Sequence, residues 1–356
     1  MSKIQEILRD YDPSSLSSFS KRKVLTDICR CRTEEMGGVV LQCNDCGHKS
    51  YHYRSCGNRH CPVCQGMKQH IWVEKRMSEA LDLPYYHVVF TVPDILNPVF
   101  MSEPNKMYDI LFRSASQTLL QLGEDERWLG GKLGFICVLH TWGANLSLHP
   151  HLHVILVGAG LRYGRLVMPK HEDFMFPVKV IGKLFRGKFL DMMRKQELDI
   201  PHKIYSHDWV VYTKETGTGE HIIRYLGRYT HRVAISDSRI LNVSDSHVTF
   251  SYKDYRDGLV KKMTLSKTEF SRRFLLHALP KGFRKIRFCG FLCNRSKKNA
   301  LIMIRNLLNS AARVNRFDGK SNSEIYTMLY GEAVCPCCGS HDLIRITLKP
   351  LFHLIA

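Results

Sequence analysis

What this 356-residue chain has little of narrows the field first. It lacks long apolar runs: stretches such as Val154 to Gly160 are among its longest, well short of the roughly 20 residues a membrane helix needs. It shows no secretory leader; the opening is polar, and Ile4, Ile7, Leu8 and Tyr11 fall at the spacing of a short amphipathic helix. Acidic residues are scarce, 33 Asp and Glu against 52 Lys and Arg, leaving a net charge of +19 and a pI near 9.4. Such a balance suits a polyanionic partner, and without a membrane-length segment nucleic acid is the better candidate than a lipid surface. No period of the kind that builds a solenoid is present. A cytoplasmic protein of two or three units is expected, with no membrane partner.

Cysteine is plentiful, with 13 residues concentrated in CxxC pairs. In a basic chain without a leader, these read as metal ligands in a reducing compartment rather than disulfides. The pair Cys43 and Cys46 is separated by fourteen residues from the pair Cys61 and Cys64. That is the spacing of a four-thiolate zinc ribbon, and residues 29–64 hold too few apolar side chains to fold around a core instead. Structural Zn2+ is therefore expected on Cys43, Cys46, Cys61 and Cys64. Cys31, Cys56, His48, His52 and His60 could furnish a second site. Arg54, Arg59 and Lys68 beside the ribbon would suit phosphate contacts. Farther on, Cys335-Pro336-Cys337-Cys338-Gly339 resembles half of another site, which Cys289 and Cys293 could complete.

Composition divides the chain into a helix and Ser-rich linker (1–22), a zinc-binding module (23–75), a central domain (80–252) and a basic region (253–356). In the central part, Tyr86 to Val92 reads as a strand and Met107 to Leu122 as a helix. Leu133 to Thr141 and His149 to Val157 read as adjacent strands, followed by a helix near Ile181 to Gln196 and a strand at Trp209 to Thr213. A Gly-containing loop at Glu215 to Gly219 leads to a helix from about Glu220 to Arg232, with strands near Val233 to Val243 and Ser246 to Tyr252. The pattern is α+β. Residues 253–320 carry 18 Lys and Arg but 4 Asp and Glu; the region is expected to be mainly helical. There Arg273, Lys281, Arg284 and Arg287 alternate with Phe274, Phe283, Phe288 and Phe291. Cations for phosphates and rings for unstacked bases suit single-stranded DNA, although a solvated basic surface over a Phe core has the same composition.

Two motifs bear chemistry. In His149-Pro150-His151-Leu152-His153, residues two apart on a strand share a face, so His151 and His153 can grip one metal ion while Leu152 faces the core. Polar face residues or a small-molecule metallohydrolase site would show the same pattern. In Tyr225-Leu226-Gly227-Arg228-Tyr229, helical spacing brings both phenols to one face, with Arg224, Arg228 and Arg232 recurring every four residues. The arginines could hold a phosphate or lie on a solvated basic face. A tyrosinate attacking a phosphodiester stores the bond energy in a phosphotyrosine for later rejoining, without ATP.

These motifs resemble the rolling-circle insertion-sequence transposases of the two-tyrosine HUH class, the IS-ninety-one family. The resemblance also rests on the block Ser55 to Gln65, the run His87-Val88-Val89-Phe90-Thr91-Val92-Pro93, the stretch His140-Thr141-Trp142-Gly143 and the segment Arg273 to Phe283. It implies an HUH palm with a central antiparallel sheet and flanking helices. It further implies a catalytic Mg2+ or Mn2+ on His151, His153 and a third ligand from a neighbouring strand. His140 is favoured for that place over His149, which Pro150 separates from the pair. Tyr225 and Tyr229 would be the nucleophiles, acting on single-stranded DNA at transposon ends and on target DNA. A plasmid replication initiator or relaxase would share this site, and a non-catalytic zinc-dependent DNA-binding regulator would keep only the scaffold.

Overall fold

The computed structural model describes residues 2–171, 175–207, 209–230, 234–254 and 257–351, apart from the side chains of Arg228 and Tyr229. Arg232 therefore lies outside the described residues, as do the side chains of the other two. Helices α1 (Lys3–Arg9) and α2 (Phe19–Arg30) precede strands β1 (Gly38–Cys43) and β2 (Lys49–Tyr53). Next come α3 (Gly66–Glu79), β3 (Pro84–Thr91), α4 (Asn97–Ser102), α5 (Pro104–Glu124), β4 (Lys132–Trp142), β5 (Leu148–Arg162) and β6 (Arg165–Val167). Then α6 (Val178–Lys195), β7 (Val211–Thr218), α7 (Gly219–Thr230), β8 (Ile240–Val243), β9 (His247–Lys253) and β10 (Val260–Ser266) follow. The remainder is α8 (Lys267–Leu276), β11 (Ile286–Gly290), α9 (Lys297–Leu308), α10 (Asn322–Tyr330) and β12 (Leu343–Leu348). The fold is α+β with antiparallel sheets.

The chain forms two compact units that do not follow sequence order. One comprises Trp72–Thr230 and Leu279–Asn315; the other comprises Met1–Ile71, His231–Ala278 and Arg316–Ala356. The basic region expected at 253–356 is thus shared between them, and it holds strands β10, β11 and β12 beside helices α8, α9 and α10.

The unit built on Trp72–Thr230 centres on a sheet ordered β11-β4-β5-β3-β7, with β6 paired to β5. Strands β4 and β5 are buried along most of their length, which is why they read as near-continuous apolar runs rather than an alternation. Tyr86, Val88 and Phe90 of β3, with Cys137, Leu139, Leu152 and Val154, face one core, to which α5 and α6 contribute Leu111, Ala115, Leu119, Phe185 and Phe189. Those helix positions recur every four residues, as one buried helical face requires. The opposite sheet face carries Tyr85, Ile136, Val138, Ile155 and Val157 and packs against Met77 of α3, Ile222, Ile223 and Leu226 of α7 and Leu301 and Ile304 of α9. Strand β7 runs through the Gly-containing segment expected as a loop.

In the other unit, β1 pairs on one side with β2 and on the other with β12. A second sheet is the meander β10-β9-β8. Ile4, Ile7 and Leu8 of α1 are buried, as their spacing suggests, and α1 is anchored where the backbone N–H groups of Lys3 and Ile4 donate to the carboxylate of Asp237. The expected Ser-rich linker is cut short by α2, which begins at Phe19.

Candidate active site

The sheet register assembles the imidazoles. His140 of β4 lies opposite His151 of β5, and His153 of β5 lies opposite Val89 of β3. Directly opposed residues of an antiparallel pair share a face, so all three histidines project from the side of the sheet that α7 covers. Their ligand nitrogens fall within 4.8 Å of one another. His140 takes the third place in this cluster, and His149, though its ring stacks 5.0 Å from that of His151, stays outside. Pro150 does not end the strand. It falls where the β4–β5 register shifts between His140 and Trp142, beyond the last β3 pair at Thr91 and His151, a bulge being where a strand tolerates a residue without an N–H.

A fourth imidazole joins them. His87 of β3 places Nε2 2.8 Å from Nδ1 of His153, and its ring meets those of Tyr212 and Tyr225 edge-on at 6.2 and 5.8 Å. Burial lowers His87 and His151 to about 4. Burial first, and neighbouring imidazoles second, hold His140 and His153 far below the ordinary histidine range. The cluster is neutral at neutral pH, the state in which imidazole nitrogen binds a metal. Lys285 adds positive charge at the margin: its Nζ sits 4.8 Å from the centre of the Trp142 ring, which stacks on His140, and its field depresses His140 and His153 further.

Tyr225 lies on α7, which presents Ile222, Ile223 and Leu226 to the core and leaves Tyr225 43% exposed. The helix sits close to α3 because of Gly227: a Cβ there would come within 2.2 Å of Val73 Cγ2. Position 229 is one turn farther along α7. Of the candidate DNA contacts, Arg224 is bound to Glu220 at 2.8 Å. Arg273 pairs with Glu269 at 2.7 Å. Arg287 pairs with Asp109 at 2.7 Å and stacks on Phe112, a structural placement. Lys281 and Arg284 are exposed.

The thiols correct the expected ribbon. Cys43 and Cys46 do not meet Cys61 and Cys64. The structure instead holds two quartets, Cys31 with Cys56, Cys61 and Cys64, and Cys43 with Cys46, Cys335 and Cys338. The physical reason is β12, whose pairing with β1 sets Cys43 opposite Leu343 and leaves Cys61 and Cys64 to the chain leaving α2. Cys289 and Cys293 take no part in either; Cys289 shares a hydrogen bond with the buried Cys137. In the first quartet, Sγ separations are 3.2 Å for Cys31 and Cys64, and 3.6 Å for Cys56 with Cys64 and for Cys61 with Cys31. Hydrogen bonds from Cys31 and Cys56 pull the Cys64 thiol far down. Four sulfurs this close fit a soft divalent ion such as Zn2+.

His87 and Lys285 lie at the histidine cluster, a placement that motif reading missed. His87 lies within a run read as structural strand, and its place on the face of His151 follows only from the pairing of Thr91 with His151. Lys285 was one cation among many in the basic tract.

Comparison with known proteins identifies the family. Residues 134–300 match a family model described as "Putative transposase", and residues 3–92 match one described as "Transposase zinc-binding domain". The chain is 38% identical over 362 residues to "Putative transposase y4qJ" of Sinorhizobium fredii, covering 94% of this chain and 91% of that protein. It is 28% identical over 296 residues to "Transposase for insertion sequence element IS801" of Pseudomonas savastanoi pv. phaseolicola, covering 77% of this chain and 70% of the other. No solved structure matches it significantly. A sheet that gathers three histidines beside a helix tyrosine, a cysteine quartet within a matched zinc-binding domain and a relative similar over nearly the whole length agree: the chain belongs to the IS91 (IS-ninety-one) family of transposases.

Proposed function

We propose that this protein nicks and rejoins single-stranded DNA by transesterification through a 5′-phosphotyrosine, on an HUH-type palm, during rolling-circle transposition. The observation that carries the reading is Tyr225: its ring lies 5.8 Å from His87, which contacts His153 of the imidazole cluster. The donor set fits a divalent ion, since three neutral nitrogens within 4.8 Å of one another need only a small closing movement to share bonds of about 2.1 Å. Bound Mg2+ or Mn2+ would polarise a non-bridging phosphate oxygen and orient the scissile bond.

The protein's own groups do the rest. The Tyr225 phenolic oxygen loses its proton and forms the new bond to phosphorus; the bond from phosphorus to the 3′ oxygen breaks, and that oxygen takes up a proton. Lys285 offers positive charge to the phosphate beside His140. Tyr229, one turn on, acts as the second nucleophile, on the other strand or the target. His87 accepts the Nδ1–H of His153 and so leaves His153 Nε2 for the metal, the orienting role that second partners of metal-bound imidazoles play. Zn2+ on Cys31, Cys56, Cys61 and Cys64 holds together the zinc-binding module, which positions DNA ends. The protein works in the cytoplasm at the nucleoid; no described helix is long and apolar enough to cross a membrane.

The test is incubation with a labelled single-stranded element end and Mn2+, followed by peptide mapping. A covalent adduct on the peptide holding Tyr225 or Tyr229 is expected, and it should vanish in Tyr225→Phe/Tyr229→Phe while DNA binding remains. An adduct that survives in that double variant refutes the proposal.

A further inference from the structure

We infer that the chain carries a second structural metal site of the Zn2+ class, formed by Cys43, Cys46, Cys335 and Cys338, which closes β1, β2 and β12 into a single zinc ribbon assembled from distant parts of the sequence. Cys335 and Cys338 lie outside both stretches that match family models.

The sulfurs are placed for one ion. Cys43 Sγ is 3.6 Å from Cys338 Sγ, and Cys46 Sγ is 3.5 Å from Cys335 Sγ. Tetrahedral bonds of 2.3 Å to zinc put neighbouring sulfurs about 3.8 Å apart, whereas a disulfide needs about 2.05 Å. The two knuckles have the same build. In the first, the Gly47 N–H donates to Cys43 O and the Cys43 N–H to His48 O; in the second, the Gly339 N–H donates to Cys335 O and the Cys335 N–H to Ser340 O. Gly47 and Gly339 both adopt positive φ, 71° and 76°, the conformation such a turn reserves for glycine. Asn44 joins the halves, donating from its backbone and its side-chain amide to Asp342 O and Oδ1.

Little else would hold β12. Its four central residues are exposed, Ile344 and Ile346 among them, so apolar burial contributes little. The strand retains its ladder to β1, and a small sheet of this kind needs a further fastener. Four thiolates that would otherwise repel one another when ionised are what a bound soft divalent cation turns into that fastener.

The test counts metal and reads thiol protection on the full-length protein. Elemental analysis should find one Zn2+ fewer per chain in Cys335→Ser/Cys338→Ser than in wild type, and no loss in Cys337→Ser, which alters the same loop without touching the quartet. Because the double variant could misfold, wild-type protein is also alkylated with and without chelator. Cys335 and Cys338 should be shielded until metal is removed, while the exposed Cys337 reacts throughout. A double variant with an undiminished zinc count, or Cys335 and Cys338 alkylated as fast as Cys337 in metal-loaded protein, overturns the inference. Neither readout depends on DNA cleavage, so failure here is distinct from failure of the proposed chemistry.

Discussion

At the scale of single residues, the site is a set of imidazoles kept uncharged by burial. Burial lowers His151 and His87 to about 4 and holds His140 and His153 well below the ordinary histidine range, whereas in an unfolded chain each protonates near 6.5. Above pH 6.5 both states are neutral and folding is unaffected; between 6.5 and 4 the unfolded chain takes up protons that the folded chain refuses, so stability falls as pH falls. Metal-free protein should therefore show an unfolding temperature that declines across this window, and replacing His140 with Asn should flatten the decline. Proposed contacts can be graded in the same way. His151→Ala should abolish metal-dependent nicking, whereas His87→Ala, which removes the partner of His153 but not a member of the three-histidine cluster, should weaken apparent Mn2+ affinity by about 10- to 100-fold, measured as the metal concentration giving half-maximal adduct. The pair His151 and His153 was legible because a two-residue period fixes a shared face whatever the rest of the fold. His87 was not, since a lone histidine in a strand acquires meaning only when another strand is laid beside it.

At the scale of elements, α7 matters through how closely it lies on α3. Gly227→Ala would gain roughly 1 kcal/mol of helix propensity but force its methyl onto Val73, an overpacking cost of about 1–3 kcal/mol. The variant should unfold at a slightly lower temperature and form adduct more slowly as α7 shifts Tyr225, and Val73→Ala in the same chain should restore both. If the double variant is worse than Gly227→Ala alone, helix spacing is not the cause. Most elements were readable from periodicity: the apolar runs of β4 and β5 and the three-and-four spacing of α5 and α6 leave few alternatives. The boundaries that shifted did so for local reasons. Strand β7 extends through Thr216, whose hydroxyl donates to Tyr85 O, a cross-strand partner no turn propensity reveals. Strand β11, in a stretch read as mainly helical, is recruited by the open edge of β4.

At the scale of the molecule, charge sets the partner. A net +19 predicts DNA binding that weakens steeply with salt: neutralising half a dozen phosphates of a single strand would cut affinity about 300-fold for a fourfold rise in salt. A nearly flat salt response, measured by fluorescence anisotropy, would count against a phosphate-tracking surface. Several cations of the basic tract, Arg287 and Arg273 among them, already have carboxylate partners, so the response should reflect others, such as Lys281 and Arg284. The same scale explains the misread cysteines. Spacing favours Cys43 and Cys46 with Cys61 and Cys64 because local sequence is all that spacing can weigh, while the observed contact between Cys43 and Cys338 spans 295 residues. That span also sets a schedule for biosynthesis. At about 5–20 residues per second, a ribosome delivers Cys338 roughly 15–60 s after Cys43. A nascent chain that meets zinc in this interval can complete the first quartet from nearby sulfurs, whereas Cys43 and Cys46 wait for the last knuckle before theirs is whole.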